Sequence, residues 1–175
     1  HNLYDTLTRW DVNLKLQPAL ATAWKPVGET AWEVTLRSGV KFHDGTPLTA
    51  EDVKAVYERI LTPGKTVVTA GFATIDKIDA VSPTLLKITT KKPDPLMPVR
   101  MAQMGGYIYP KRLANDEGAK ELARKPIGTG AYRFVEWVKG SHLLMERFDK
   151  YFQPGQPHLD KVLIRVIKDP VTEMA

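Results

Sequence analysis

The sequence has 175 residues, of which 43% are apolar and 26% charged, a balance typical of a folded globular chain with its own core. The absence of cysteine excludes disulfide scaffolds, thiol catalysis and cysteine-bound zinc. The net charge of +5 arises from 25 basic and 20 acidic residues. The basic residues are scattered as singles and pairs without interleaved aromatics, which argues against nucleic acid as a partner. No stretch approaches the ~20 consecutive apolar residues of a membrane-spanning helix.

The first predicted elements are a short helical turn and a strand hairpin. Apolar residues at positions 3, 4 and 7 are spaced as on one face of a helical turn. Residues 32–36 alternate between apolar and polar side chains, which is typical of a half-buried strand. Ser38-Gly39 predicts a turn, after which Val40 and Phe42 would return antiparallel to that strand.

A helix is predicted over residues 50–61. Thr49 is suited to cap it, and Asp52, three positions later, completes a capping-box pattern. Apolar side chains at positions 53, 56, 57 and 60 give this helix one face that would pack on a sheet. Thr62-Pro63-Gly64 predicts its end.

The rest of the chain is predicted to alternate strands with short helices. Three prolines bracket a short helix or irregular loop that runs through Met104, and residues 111–123 suit another helix. The order of hairpins, helices and a final antiparallel group indicates an α+β fold. The strands predicted in this part of the chain are 75–81, 85–90, 131–138, 143–148 and 162–168.

The sequence displays no pattern of catalytic or metal-binding residues. Its histidines, at positions 1, 43, 142 and 158, have no histidine partner three or four residues away. It contains neither a Gly-x-Ser-x-Gly nucleophile elbow nor a Walker-type phosphate loop. His43, between a strand and a turn, is expected to make a backbone or surface hydrogen bond. We therefore predict no cofactor, no metal and no enzymatic activity.

Gly128-Thr129-Gly130 is the densest glycine motif. It lacks the third glycine and the helix start of a dinucleotide-binding fingerprint. We interpret it as a place where the backbone passes very close to another group, with the Thr129 hydroxyl available for local capping. Two explanations remain open: a bend at a strand entry, packed against the sheet, or a wall beside a ligand.

Several stretches follow one another in an order that resembles a known family. The longest, residues 40–53, reads VKFHDGTPLTAEDV. The others are LATAW at 20–24, WEVTLR at 32–37, PIGTGAY at 126–132, YF with PG at 151–155, and LDKV at 159–162. Together they resemble the large solute-binding proteins of bacterial ABC importers, family 5, which capture peptides, nickel chelates, opines and oligosaccharides.

This resemblance implies a type II periplasmic-binding-protein-like fold of the α/β type, in which mixed and antiparallel sheets are flanked by helices. Residues 1–31 and 111–175 would form part of lobe one, and residues 32–110 a small outer subdomain inserted in it. A leader, an initial strand, the second lobe and the segment that completes lobe one would lie outside this chain.

The resemblance also implies which residues face the ligand. The segment after the helix commonly presents an aromatic side chain, here Phe72, and the segment containing Gln103, Met104 and Tyr107 lines the cleft in relatives. The Gly128-Thr129-Gly130 loop would lie near the cleft between the lobes. Relatives that bind a carboxylate or a chelate often carry an arginine near the second segment, where this chain has Gln103. That difference disfavours an anionic or metal-chelate ligand.

The implied function is that of the solute-binding component of an ABC importer. It would capture a peptide-like or oligosaccharide solute between two lobes and deliver it to the permease subunits. The protein would be periplasmic or a membrane-anchored extracytoplasmic lipoprotein. The alternative is a stand-alone structural or interaction module that reuses this part of lobe one, which a native reading frame ending near Ala175 with its own leader would favour. Missing partner strands would leave open sheet edges, so the chain is also expected to self-associate or exchange strands.

Overall fold

The computed structural model describes residues 2–167, in which short strands form three antiparallel sheets flanked by helices. The strands are β1 Thr8–Trp10, β2 Leu16–Pro18, β3 Ala21–Pro26, β4 Ala31–Leu36, β5 Ile75–Ser82, β6 Leu85–Thr90, β7 Tyr132–Val138, β8 His142–Arg147 and β9 Lys161–Arg165. The helices are α1 Ala50–Leu61, α2 Thr69–Phe72, α3 Met97–Arg100 and α4 Asp116–Arg124, with a 3-10 turn at Lys111–Leu113. The predicted last strand extends to Lys168, which lies outside the described residues.

The central sheet has the strand order β3-β4-β6-β5 and carries the hydrophobic core. Val34 of β4 lies opposite Trp24 on one side and Leu86 on the other. Helix α1 begins and ends where the sequence predicts, and its predicted apolar face, with Val56 and Tyr57 at its centre, is fully buried in the core. Burial of each such side chain contributes about 1.5–3 kcal/mol, so packing of the amphipathic face holds the helix in place.

The prediction that Val40 and Phe42 return as a strand beside β4 is wrong. Both edges of β4 are already occupied, by β3 and by β6. The chain after β4 instead folds into a loop closed by a single bridge between Lys41 and Pro47. Val40 and Phe42 are still buried, because the loop directs both side chains into the core.

The helical turn predicted at residues 3–7 is also absent. The backbone carbonyls there accept hydrogen bonds from distant segments rather than from the next turn. Leu3 O accepts from Gly130 N at 3.1 Å, Asp5 O from Ile108 N at 3.0 Å, and Leu7 O from Ala21 N at 2.8 Å. Because these carbonyls already accept hydrogen bonds from distant residues, a local helix would add few further hydrogen bonds.

Two helix predictions need correction in detail. The helix expected over residues 111–123 is divided at Asn115, whose side chain accepts a hydrogen bond from Gly118 N and caps α4. The segment after α1, for which no helix was predicted, contains the single helical turn α2.

Candidate functional site

The N-terminal segment, residues 2–8, joins the two regions that the sequence analysis selected as ligand-facing. Asn2 O accepts a hydrogen bond from Tyr132 N at 2.9 Å, just after the glycine-rich loop. On its other side, Thr8 Oγ1 donates to Pro98 O at 2.7 Å, at the start of the segment that leads to Tyr107. The candidate site is therefore built around a strand-like segment to which no functional role was assigned from sequence.

Gly128, Thr129 and Gly130 pass directly against this segment. A methyl group on Gly128 would overlap the Leu3 carbonyl oxygen, and one on Gly130 would overlap the Asn2 carbonyl oxygen. The close approach predicted from the glycines is present, and the group approached is backbone of the same chain. Thr129 is 1% exposed, so its hydroxyl can bond only to buried groups within the described structure.

Asp5 is the residue of this region that the sequence analysis missed. Its carboxylate is 3% exposed and accepts hydrogen bonds from Thr129 Oγ1 at 3.1 Å and Tyr151 OH at 3.4 Å. Burial raises the pKa of this carboxyl from 3.8 to about 6, because the two hydroxyl donors only partly replace the lost water. The one sequence feature that could have indicated a buried carboxylate is the single acidic residue within the stretch LYDTL.

His43 contacts the same loop through its imidazole. Gly128 N donates to Nδ1 at 3.3 Å, and Nε2 lies 2.9 Å from Gly130 O. Because a carbonyl can only accept, Nε2 carries the hydrogen and the ring is the neutral tautomer. Burial lowers the pKa of His43 and so favours the same state. The expectation of a backbone hydrogen bond is confirmed.

Tyr107 lies beside Tyr4, with ring centroids 5.8 Å apart and planes inclined by 32°. The two rings border a mostly apolar surface cavity of about 210 Å³. The remaining lining residues come from the N-terminal segment and from β8 and β9: Asn2, Leu3, Leu143, Met145 and Ile164. Two neighbouring aromatic rings beside aliphatic side chains suit an apolar group of a ligand.

The other proposed site residues lie elsewhere. Phe72 is 1% exposed and packs against Tyr57 in the core, with ring centroids 5.2 Å apart, so the described surface does not present this ring. Gln103 is half-buried with its amide against Gly71, while Met104 is 78% exposed. The structure thus brings Tyr107 and the glycine-rich loop to one N-terminal segment, and leaves Phe72 beneath the surface.

Residues 2–167 contain no group of three His, Cys, Asp or Glu side chains placed to hold a metal ion. Within the same range, no helix is long and apolar enough to cross a bilayer.

Comparison with known proteins gives a consistent result. The model for bacterial extracellular solute-binding proteins, family 5 (middle), matches residues 15–175. The glutathione-binding protein GsiB of Pectobacterium atrosepticum is 32% identical over 99% of this chain and 34% of its own length. AgaA from A. tumefacien R10, solved in complex with agropinic acid, is 31% identical with a TM-score of 0.91, over 98% of this chain and 35% of its own. The Bacillus subtilis oligopeptide-binding protein AppA, solved with a nonapeptide, is 32% identical with a TM-score of 0.86, over the same shares.

The chain spans about a third of the length of these relatives, 34% for GsiB. Its helices and antiparallel sheets confirm the predicted periplasmic-binding-protein-like fold, of which they form part. The chain belongs to the bacterial extracellular solute-binding proteins of family 5.

Proposed function

We propose that this chain is part of the solute-binding component of an ABC importer, which captures a solute between two lobes and delivers it to membrane permease subunits. The observation that carries this proposal is the family match over residues 15–175. The structural likeness to AgaA, at a TM-score of 0.91, supports it. A solute that contacts both lobes would stabilise the closed arrangement because it binds that arrangement more tightly than the open one.

In this proposal residues 1–31 and 111–175 belong to lobe one, and residues 32–110 form an outer subdomain. Strand β3 precedes the boundary but pairs along its length with β4 of the central sheet. It would therefore fasten the subdomain to the lobe. The compartment would be extracytoplasmic, either the periplasm or the outer face of a membrane to which a lipoprotein is anchored.

A peptide-like solute is the ligand class that we favour, with oligosaccharides second. GsiB is named for glutathione and AppA was solved with a nonapeptide, and both are 32% identical to this chain. The Tyr4–Tyr107 ring pair and its apolar cavity would accept an apolar side chain of such a solute. Gln103 is uncharged, so this position offers no positive partner to an anionic group. This supports a ligand that does not need an arginine here.

The test is a calorimetric titration of the product of the complete reading frame that encodes this chain. Glutathione, peptides of increasing length, agropinic acid and oligosaccharides form the panel. We expect saturable binding to the peptide class, weakened about tenfold by Tyr107→Ala, since loss of one well-packed aromatic contact costs about 1.4 kcal/mol. Val67→Ala, in an exposed loop, is the matched control. Catalytic turnover without binding to any panel member would reject the proposal.

A further inference from the structure

The glycine-rich loop is held by two ionisable side chains that come from distant parts of the chain. Asp5 holds it through the Thr129 hydroxyl, at 3.1 Å. His43 holds it through backbone, accepting from Gly128 N and lying 2.9 Å from Gly130 O. The histidine arrangement requires a neutral ring, because a proton on Nδ1 would face the Gly128 N–H donor.

The surroundings of Asp5 favour its protonated form. The polar groups that contact its carboxylate are the hydroxyls of Thr129 and Tyr151. Among the described residues, Arg9 supplies positive charge at longer range, and it lowers the pKa of Asp5 less than burial raises it. The phenol of Tyr151 is held neutral, because burial and the nearby carboxylate raise its pKa well above the usual value, while Arg9 and Arg37 oppose this weakly.

The surroundings of His43 favour its deprotonated form. The Phe148 ring makes a T-shaped contact with the imidazole, with centroids 5.0 Å apart. Two charges act on it with opposite signs: Arg133 lowers its pKa and Asp44 raises it. Each of these charges has a nearer partner, since Arg133 pairs with Glu146 at 2.7 Å and Asp44 with Arg112 at 3.0 Å. Burial is therefore the main influence on the pKa of His43.

Opening the loop to water would reverse both protonation states. In the closed loop, Asp5 keeps its proton up to about pH 6, whereas the exposed carboxyl would lose it near 3.8. His43 lacks a proton in the closed loop but would take one up below about pH 6.5 once exposed. Opening in mildly acidic solution thus releases one proton from Asp5 and binds one at His43. Since the pH dependence of an equilibrium follows the net change in bound protons, the two contributions have opposite signs and offset each other.

We propose that Asp5 and His43 are positioning residues that form an opposed pair, which makes closure of the Gly128–Gly130 loop less dependent on pH than either residue would make it alone. The pair does not depend on any ligand. The consequence for solute affinity rests on the proposed function: a binding site in a compartment open to the medium would keep its geometry in mildly acidic conditions.

Variants that remove one member of the pair test this proposal. With Asp5→Asn only His43 titrates, so the closed loop should lose stability as pH falls below about 6.5. With His43→Gln only Asp5 titrates, so stability should fall as pH rises from 3.8 to about 6. The glutamine amide can still accept from Gly128 and donate to Gly130. The measurement is the protection factor of the Gly128 and Gly130 amides, followed by NMR hydrogen exchange in the full chain without solute.

We expect a flat profile for the double variant, opposite slopes for the two single variants, and a wild-type profile that lies between those two slopes. The His43→Gln slope should span up to about 100-fold, since the Asp5 shift is about two pKa units and each unit is tenfold. Asp76→Asn, which removes an exposed carboxylate on β5, should leave the wild-type profile unchanged. Thr129→Val removes a hydroxyl donor that lowers the pKa of Asp5 but leaves the carboxyl buried, so the Asp5 contribution should persist and the profile should not reproduce the Asp5→Asn slope. Slopes of the same sign, or flat profiles in both single variants, would overturn the proposal whatever the solute proves to be.

Discussion

At the scale of single residues, Gly128 has no room for a side chain. A methyl group there would overlap the Leu3 carbonyl oxygen, which is itself held by a hydrogen bond from Gly130 N. We expect Gly128→Ala to lower the free energy of unfolding by about 3 kcal/mol, the range for overpacking against fixed backbone. The measurement is urea denaturation of the full chain.

Gly28→Ala is the matched control for this prediction. Gly28 has a positive φ of 64° but no atom within 4 Å of an added methyl. Its substitution should therefore cost only the left-handed backbone preference, about 1–2 kcal/mol. A loss at Gly128 no larger than the loss at Gly28 would show that the backbone around Leu3 shifts easily to make room for the added methyl group, and would contradict this prediction.

The residues of the site were predictable from sequence only in part. Two glycines separated by one residue indicated a close approach, because glycine is the residue that permits it. The identity of the neighbour could not be predicted, since Asn2 and Leu3 lie more than a hundred positions away along the chain. Asp5 was missed for the same reason: its partners Thr129 and Tyr151 are 124 and 146 residues distant.

At the scale of elements, Asp52 fixes both the start of α1 and its contact with the 3-10 turn at Lys111–Leu113. Its buried carboxylate accepts from Thr49 N and Thr49 Oγ1, and also from Lys111 N at 2.9 Å. Asp52→Ala would leave these donors without their partner, at a cost of about 2–4 kcal/mol. Glu51→Ala, exposed in the same helical turn, should cost less than about 1 kcal/mol. A smaller effect at Asp52 than at Glu51, in thermal or urea unfolding, would contradict this account.

The elements predicted well are those whose signals are local. Helix α1 has its cap, its apolar face and its Thr62-Pro63-Gly64 terminator within sixteen residues of sequence, and the observed bounds agree with the predicted ones. Strand pairing is different, because several strands compete for each edge. Val40 and Phe42 have the alternation of a strand, yet β3 and β6 occupy both sides of β4.

At the scale of the whole molecule, solute binding by residues 1–175 alone should be weak or undetectable. Under the proposed function this chain supplies only some of the contacts, and every ~1.4 kcal/mol lost lowers affinity tenfold. Calorimetry with the solute that binds the product of the complete reading frame provides the measurement. Micromolar affinity of the isolated chain would contradict the two-lobed mechanism, because one side of the cleft would then suffice.

The sheet of β7, β8 and β9 leads us to expect that this chain self-associates in solution. Its outer strands, β7 and β9, each have an edge that pairs with no named strand among residues 2–167. They also carry exposed apolar side chains, including Trp137 at 60% exposure and Leu163 and Ile164 at about half. An open edge beside apolar surface favours pairing with a second copy, because both the backbone groups and the side chains gain partners.

We therefore expect light scattering to report a molar mass that rises from monomer toward dimer as the concentration of the chain increases. Leu163→Lys places a charge on this surface and should shift the transition to higher concentration by about tenfold or more, since burying an unpaired charge costs more than 1.4 kcal/mol. Val67→Lys is the control, because Val67 is fully exposed in a loop outside every sheet. A monomer at every concentration would show that the twist and charges of β7 and β9 are enough to protect their edges. An equal shift in both variants would point instead to net charge as the cause.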